Sequence, residues 1–336
     1  MLGRKKAGDF SKGVRFTVGD FVKSSAGRID LKVVAGAGCM DMVIAEPIVN
    51  RLGLALTGFY DCFAWRRVQL IGNAECSYLA SLGEAESEKR FKGLLERKAR
   101  LFVFTGGHHA KPSIKRLAEK SGAVIMETPL TTRVFSRLAT FVLERLGAPR
   151  VQLYGTMVEV FGVGVLFEGD AGLGKSETAL GLIKRGSSLI ADDVTLIRKD
   201  VANNILYGRA SKATEGFIEI RGIGIMKISR VFGVNAVAGE RQLKLVVTFK
   251  RLGDVVADID RVGLRDVKRN ILGVELPNII VPVSEGRDLV NLVETAVQQQ
   301  KLISSGYDPV DELSEHLRKR ADAPLEDKKR RIKNGR

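Results

Sequence analysis

The sequence predicts an α/β fold in two units, and three observations carry that expectation. Short apolar runs of strand length alternate with amphipathic segments of helical period from about residue 16 to residue 147. Gly147-Ala148-Pro149-Arg150 then interrupts the pattern, as glycine and proline do between periodic segments. Beyond it, a strand-like run, a glycine loop and a helical run follow one another across 163–185. A chain of 336 residues is long enough for two domains. We therefore expect a loose leader over 1–15, an N-terminal α/β domain over 16–147, a linker over 148–152, a second domain over 153–317 and a basic tail over 318–336.

In the first domain, Leu31–Gly36, Arg67–Gly72, Ala99–Thr105 and Ala123–Met126 read as strands. Between them, Ala74–Leu82 and Ser87–Glu96 have helical spacing. Pro112 opens a further helix, where its missing N–H costs nothing. Thr131–Leu146 places Val134, Leu138, Phe141, Val142 and Leu146 on one helical face and stops at Gly147. In the second domain, Val158–Gly162 and Val163–Glu168 read as strands meeting at glycines, and Asp288–Gln300 as an amphipathic helix.

Composition narrows the class. With 45% hydrophobic and 28% charged residues, the chain is not a disordered sequence. It has no apolar run of the ~18 residues a membrane helix needs, and its basic start has no apolar segment behind it. A cytoplasmic protein with no membrane partner is expected. Cys39, Cys62 and Cys76 lack metal-site or disulfide spacing and read as small packing groups. Of the net charge of +15, a large part sits in 318–336, where nine Lys/Arg face three Asp/Glu. That tail reads as a solvated terminus rather than a nucleic-acid arm. The remaining positive charge suits nucleotides, phosphate or an acidic protein surface.

Gly169-Asp170-Ala171-Gly172-Leu173-Gly174-Lys175-Ser176 fits the phosphate-loop pattern G-x-x-x-x-G-K-[ST]. Glycines let successive N–H groups turn toward phosphate oxygens. Lys175 brings a compact positive charge, Ser176 a hydroxyl for Mg²⁺, and the following helix its positive end. A glycine turn in an unrelated strand–helix unit is the bland alternative, and the strand–loop–helix order selects against it. Ser188–Asp193 is an apolar run ending in two acids, seventeen and eighteen residues past Lys175. A strand ending there would bring a carboxylate to the phosphates. Side chains alternate along a strand, so only one of Asp192 and Asp193 is expected to face them.

Ile218–Ile225 places Glu219 and Arg221 between apolar residues ahead of Gly222 and Gly224. Alternation assigns Ile218, Ile220 and Ile223 to a core, and a charge pair on a half-exposed strand explains the pattern as well as a site does. His108 and His109, after Gly106-Gly107, read as a solvated loop pair, since adjacent histidines do not converge easily on one ion.

Taken together, Lys175–Leu180, Leu189–Asp193, Glu219–Ile225, Asp260–Leu264, Ile280–Val283 with Gly286-Arg287, and Gly306-Tyr307 resemble HPr kinase/phosphorylase. Glu46–Arg51, Gly53–Leu56, Gly58-Phe59 and Arg133–Leu138 extend the resemblance into the first half, so that it covers about 16–315. The resemblance implies an enzyme that phosphorylates a serine of the carrier protein HPr with ATP and Mg²⁺, and removes that phosphate with inorganic phosphate to give pyrophosphate. It also implies a homohexamer whose second domain is similar to the nucleotide-binding core of phosphoenolpyruvate carboxykinases. By the same resemblance, Lys175 binds phosphate and Ser176 and Glu219 serve Mg²⁺. Asp193 exchanges a proton with the acceptor serine, and Arg261 stabilises charge.

The chain departs from that pattern twice. Tyr154 precedes Gly155 where the family carries a catalytic His, and a phenol, with pKa about 10, does not become a cation near neutrality. At Val283-Ser284-Glu285-Gly286-Arg287 the family reads Val-Arg-Pro-Gly-Arg, so this segment is less positive here. The expectation is that dephosphorylation is weakened more than phosphorylation. Two other functions fit the phosphate loop alone: a kinase for a small molecule, or a nucleotide-gated binder with little catalysis.

Overall fold

The computed structural model describes residues 14–254, 267–307 and 312–319. The chain divides between Pro149 and Arg150 into two compact units.

The first unit contains strands β1 (Lys32–Ala35), β2 (Val49–Arg51), β3 (Val68–Ile71), β4 (Leu101–Phe104) and β5 (Val124–Glu127). They form one sheet in the order β1-β5-β4-β3-β2, with β2 to β5 parallel and β1 antiparallel to β5. Strands β3, β4 and β5 are buried at every position, which is why they read as largely apolar runs, with Gln69 and Glu127 as the polar members. Helices cover both faces. Helices α1 (Val18–Ser25) and α6 (Thr132–Gly147) share a core with Val68, Leu70, Val103 and Met126. Helices α2 (Leu54–Thr57), α3 (Asn73–Ser81), α4 (Gly83–Glu96) and α5 (Pro112–Lys120) pack with Ile71, Phe102, Phe104 and Ile125. Burying each such side chain contributes about 1.5–3 kcal/mol.

One sequence expectation changes here. Cys62 is exposed rather than packed. His109 is exposed as expected, its side chain 78% accessible, while its Nδ1 lies 2.7 Å from the Glu127 carboxylate. The short elements α1, α2 and β2 were not among the expected strands and helices.

The second unit opens with strands β6 (Arg150–Tyr154), β7 (Thr156–Val160) and β8 (Val163–Glu168), then α7 (Lys175–Lys184). The strand β6 thus begins inside the segment expected as linker. Strands β9 (Ser188–Ala191), β10 (Val194–Asp200) and β11 (Ile205–Arg209) follow, then the hairpin of β12 (Phe217–Ile220) and β13 (Gly224–Lys227) and the short α8 (Ile228–Val231). The unit continues through β14 (Arg241–Arg251), β15 (Lys268–Ile271), β16 (Val274–Val283) and α9 (Leu289–Ser304).

The main sheet runs β6-β10-β11-β14-β8-β7-β9, with β16 also paired to β14 and β15 to β16. Strands β6 and β9 lie at its two ends, yet single short links join β6 to β7 and β9 to β10. The links run side by side, with Gly155 N–H donating to Asp193 O at 2.9 Å. Two paired strands therefore bend together, and the sheet folds over on itself at that bend, as strands do where they turn a corner between layers. The fold encloses a core that includes Met157, Leu166, Ile190, Ile197, Leu206 and Val246. On the outer face, α7 and α9 pack through Ala179, Leu182, Val293 and Val297 against Val165, Phe167 and Val247. A Cβ at Gly155 would sit 2.4 Å from Phe167 O, so the corner tolerates only glycine there.

Candidate active site

The glycine loop leaves the end of β8, a buried strand flanked by β14 and β7. Gly172 and Gly174 both have φ +81, a conformation that L side chains rarely adopt. It turns the chain sharply into α7, whose first residues are Lys175 and Ser176. Leu173, only 6% exposed, pins the loop to the core. Lys175 Nζ donates to the carbonyls of Gly169 and Asp170 at 2.9 and 2.8 Å. The lysine thus tethers its own loop. The backbone amides, the lysine and the helix start together make an anion cradle.

Asp192 is the hub beside it. This residue is 6% exposed and directly follows β9. Its Oδ1 accepts from Thr156 Oγ1 at 2.7 Å and from Ser176 Oγ at 3.0 Å. Its Oδ2 accepts from the Glu219 N–H at 3.1 Å. One carboxylate thus ties β7, α7 and β12 together.

Asp193 follows with φ +58. Strand alternation ends at Ala191, and of the two acids Asp192 is the one hydrogen-bonded to Ser176 at the start of α7. The left-handed residue works as a bulge that re-aims the chain, and both carboxylates fall in one electrostatic neighbourhood. Burial pushes the Asp193 carboxyl above the usual aspartate range. The charges of Asp192 and Glu219 push it further, and Lys175 pulls it back.

Glu219 sits in β12 opposite Ile225 of β13. Ile218 and Ile220 are buried as expected, but Ile223 is 68% exposed. The strand stops at Ile220 and turns through Arg221–Ile223, with Gly222 at φ +82. The turn carries Arg221 to the phosphate loop, where a Cβ on Gly172 would lie 3.5 Å from Arg221 Nη1.

Ser176 and Glu219 offer the hard oxygen donors that Mg²⁺ takes, and Ser176 Oγ is already oriented by Asp192. That donor chemistry fits the ion, although among the described residues no cluster of three or more His, Cys, Asp or Glu is arranged as a metal site.

Other candidates are less closely joined. Tyr154 ends β6, is 65% exposed, and pairs through its backbone with Val194, next to Asp193. Gly286, at φ +75, and Arg287 follow β16, which runs parallel to β14 as β8 does, and so leave the sheet at the same edge as the phosphate loop. Arg287 Nη1 donates to Pro282 O at 3.2 Å. Arg261 lies outside the described residues, as does most of the basic tail.

Models of two protein families match this chain: the HPr serine kinase N terminus over residues 16–143 and the HPr serine kinase C-terminal domain over residues 145–317. The chain belongs to the HPr serine kinase family. It is similar to the HPr kinase/phosphorylase of Leptospira biflexa, with 36% identity over 290 residues, 86% of this chain and 90% of that one. It also resembles those of an Exiguobacterium strain, 36% identical over 86% of this chain and 93% of that one, and of Geobacter sulfurreducens, 34% identical over 90% and 95%. Matches across both halves favour neither the small-molecule kinase nor the nucleotide-gated binder.

Sequence reasoning missed two residues that hold the site. Thr156, fully buried in an apolar strand, fixes Asp192. Its only signal is a hydroxyl in a run otherwise apolar on both sides. Arg269 in β15 grips Glu168 with Nε–Oε2 at 2.9 Å and Nη2–Oε1 at 3.2 Å, just before the phosphate loop. Nothing local in sequence marks that pairing.

Proposed function

We propose that the chain transfers the γ-phosphate of ATP to a serine of HPr and, at the same site, returns it from phosphoserine to inorganic phosphate as pyrophosphate. The observation that carries this reading is Asp193, a carboxylate raised by burial and like charges, beside a phosphate loop whose lysine and serine are already positioned.

The loop amides and Lys175 hold the β- and γ-phosphates and offset the charge that spreads over the transferred group. Asp193 accepts the proton of the serine hydroxyl as its oxygen bonds to phosphorus and ADP leaves. In reverse, the phosphoserine oxygen takes the proton back while inorganic phosphate attacks, so one group acts as base and then acid. A raised pKa suits that double use, because proton affinity near the working pH favours both directions. Asp192 does not transfer a proton. It orients Ser176 and the backbone at Glu219, the two residues that would hold Mg²⁺, whose chemistry is to neutralise phosphate oxygens. Arg221 adds positive charge over the loop, and Arg261 is assigned the same task by the family pattern alone.

The reading includes a homohexamer in the cytoplasm. Among the described residues no helix is long and apolar enough to cross a membrane. Light scattering tests the assembly. The chemistry is tested with labelled ATP, Mg²⁺ and HPr: label on an HPr serine supports the reading, and nucleotide hydrolysis with no label on HPr contradicts it.

A further inference from the structure

A second concentration of positive charge lies in the first unit, outside the phosphotransfer site. A cavity of about 200 Å³ opens where β3 and β4 begin, lined among others by Trp65, Arg66, Arg67, Lys98, Arg100 and Leu101. No carboxylate lines it. Arg67 pairs with Glu46 at 2.9 Å. Among the described residues, Arg66, Lys98 and Arg100 have no acid within ion-pair distance. The Arg100 guanidinium is held by the carbonyls of Leu95 and Ala99 at 2.5 and 2.9 Å, which positions its charge without neutralising it. Arg66 stacks 4.8 Å from the Trp65 ring.

The backbone adds an independent sign. Lys98 has φ +68 just after α4, and the bonds Lys98 N–H to Leu95 O and Ala99 N–H to Leu94 O close that helix in the manner normally given to glycine. A side chain kept at such a position is strained, and retained strain gathers at ligand sites. The residue that bears it is one of the unpaired cations.

We propose that this cavity binds a phosphorylated small molecule, its phosphate among Arg66, Lys98 and Arg100 and its organic part against Trp65. Guanidinium groups match phosphate oxygens in pairs. The volume falls below the ~300 Å³ at which pockets for drug-sized ligands begin, so a monoester with a short organic portion fits better than a dinucleotide. An adjoining open pocket shares Trp65 and Lys98 and adds Tyr60 and Phe63, but also Asp61 and Glu96. Those acids exclude the phosphate from that side and leave the aromatic rings for the organic part.

Trp65 is the sole tryptophan of the chain, so its emission reports this cavity in the full-length protein. At constant ionic strength, phenyl phosphate should change the emission saturably, with half-saturation at least tenfold below that of inorganic phosphate. Arg66→Gln and Lys98→Gly should each weaken binding at least fivefold. Lys98→Gly should also raise the melting temperature, which shows that the loss is not unfolding. Lys175→Ala should leave the response intact, separating it from the phosphate loop. The proposal is overturned if chloride gives the same change, if Lys98→Gly binds as tightly as the wild type, or if Lys175→Ala abolishes the signal.

Discussion

Two acidic residues at strand ends, one in each unit, have opposite fates. Glu127 closes β5 and is 8% exposed. Burial alone would raise its pKa, but His109 at 2.7 Å, Lys115 at 3.0 Å and the Ala110 N–H at 3.1 Å more than offset that, and the carboxyl ends below the usual range. Asp193 stands beside two more carboxylates, with Lys175 as its opposing charge among the described residues, and ends above the range. A compensated acid holds a fold together, whereas an uncompensated one stores proton affinity. The difference separates a structural carboxylate from the proposed proton acceptor more sharply than burial does.

The largest test of that contrast is Asp193→Asn. Removing the proposed general base should lower serine phosphorylation by about 10²–10⁴-fold with ATP binding retained, as measured by single-turnover transfer and nucleotide titration. The same change should raise the melting temperature. A carboxyl whose folded pKa exceeds its unfolded value costs stability once pH passes the unfolded value, and a neutral isostere removes that cost.

Glu127→Gln should do the reverse, destabilising the protein by about 1–3 kcal/mol as buried partners lose their acceptor, with phosphotransfer per folded molecule unchanged. Urea unfolding alongside activity reads both. Loss of activity without loss of stability would break the contrast.

Acidification offers a third test. The rate should fall about tenfold per pH unit below the Asp193 pKa, and the fall should begin at a pH above the ordinary aspartate value of about 3.9. The smallest effect belongs to Tyr154→His. A cationic imidazole next to the corner would give Asp193 the kind of partner Glu127 already has. The acid limb should move to lower pH, and phosphoserine removal should gain several-fold more than phosphorylation does. Equal change in both directions would count against a role for Tyr154 in the balance.

Much of this was legible in sequence, and the exceptions have physical causes. Strands β3, β4 and β5 announced themselves because both faces are covered. The phosphate loop did so because its glycines and lysine are local requirements. The placement of the Asp pair was less legible because alternation holds only while a strand persists, and β9 ends at Ala191, ahead of Asp193 at φ +58. Ile223 misled for the same reason, lying in the turn that Gly222 permits. Thr156 and Arg269 were silent because their partners lie 36 and 101 residues away, and periodicity carries no signal over such distances.

The most direct measurement is a carbon-13 carboxyl titration of the full-length protein, assigned with Asp193→Asn and Glu127→Gln. The account predicts that Asp193 titrates above ordinary aspartates and Glu127 below ordinary glutamates in the same sample. An Asp193 carboxyl titrating at or below the ordinary aspartate value would contradict it.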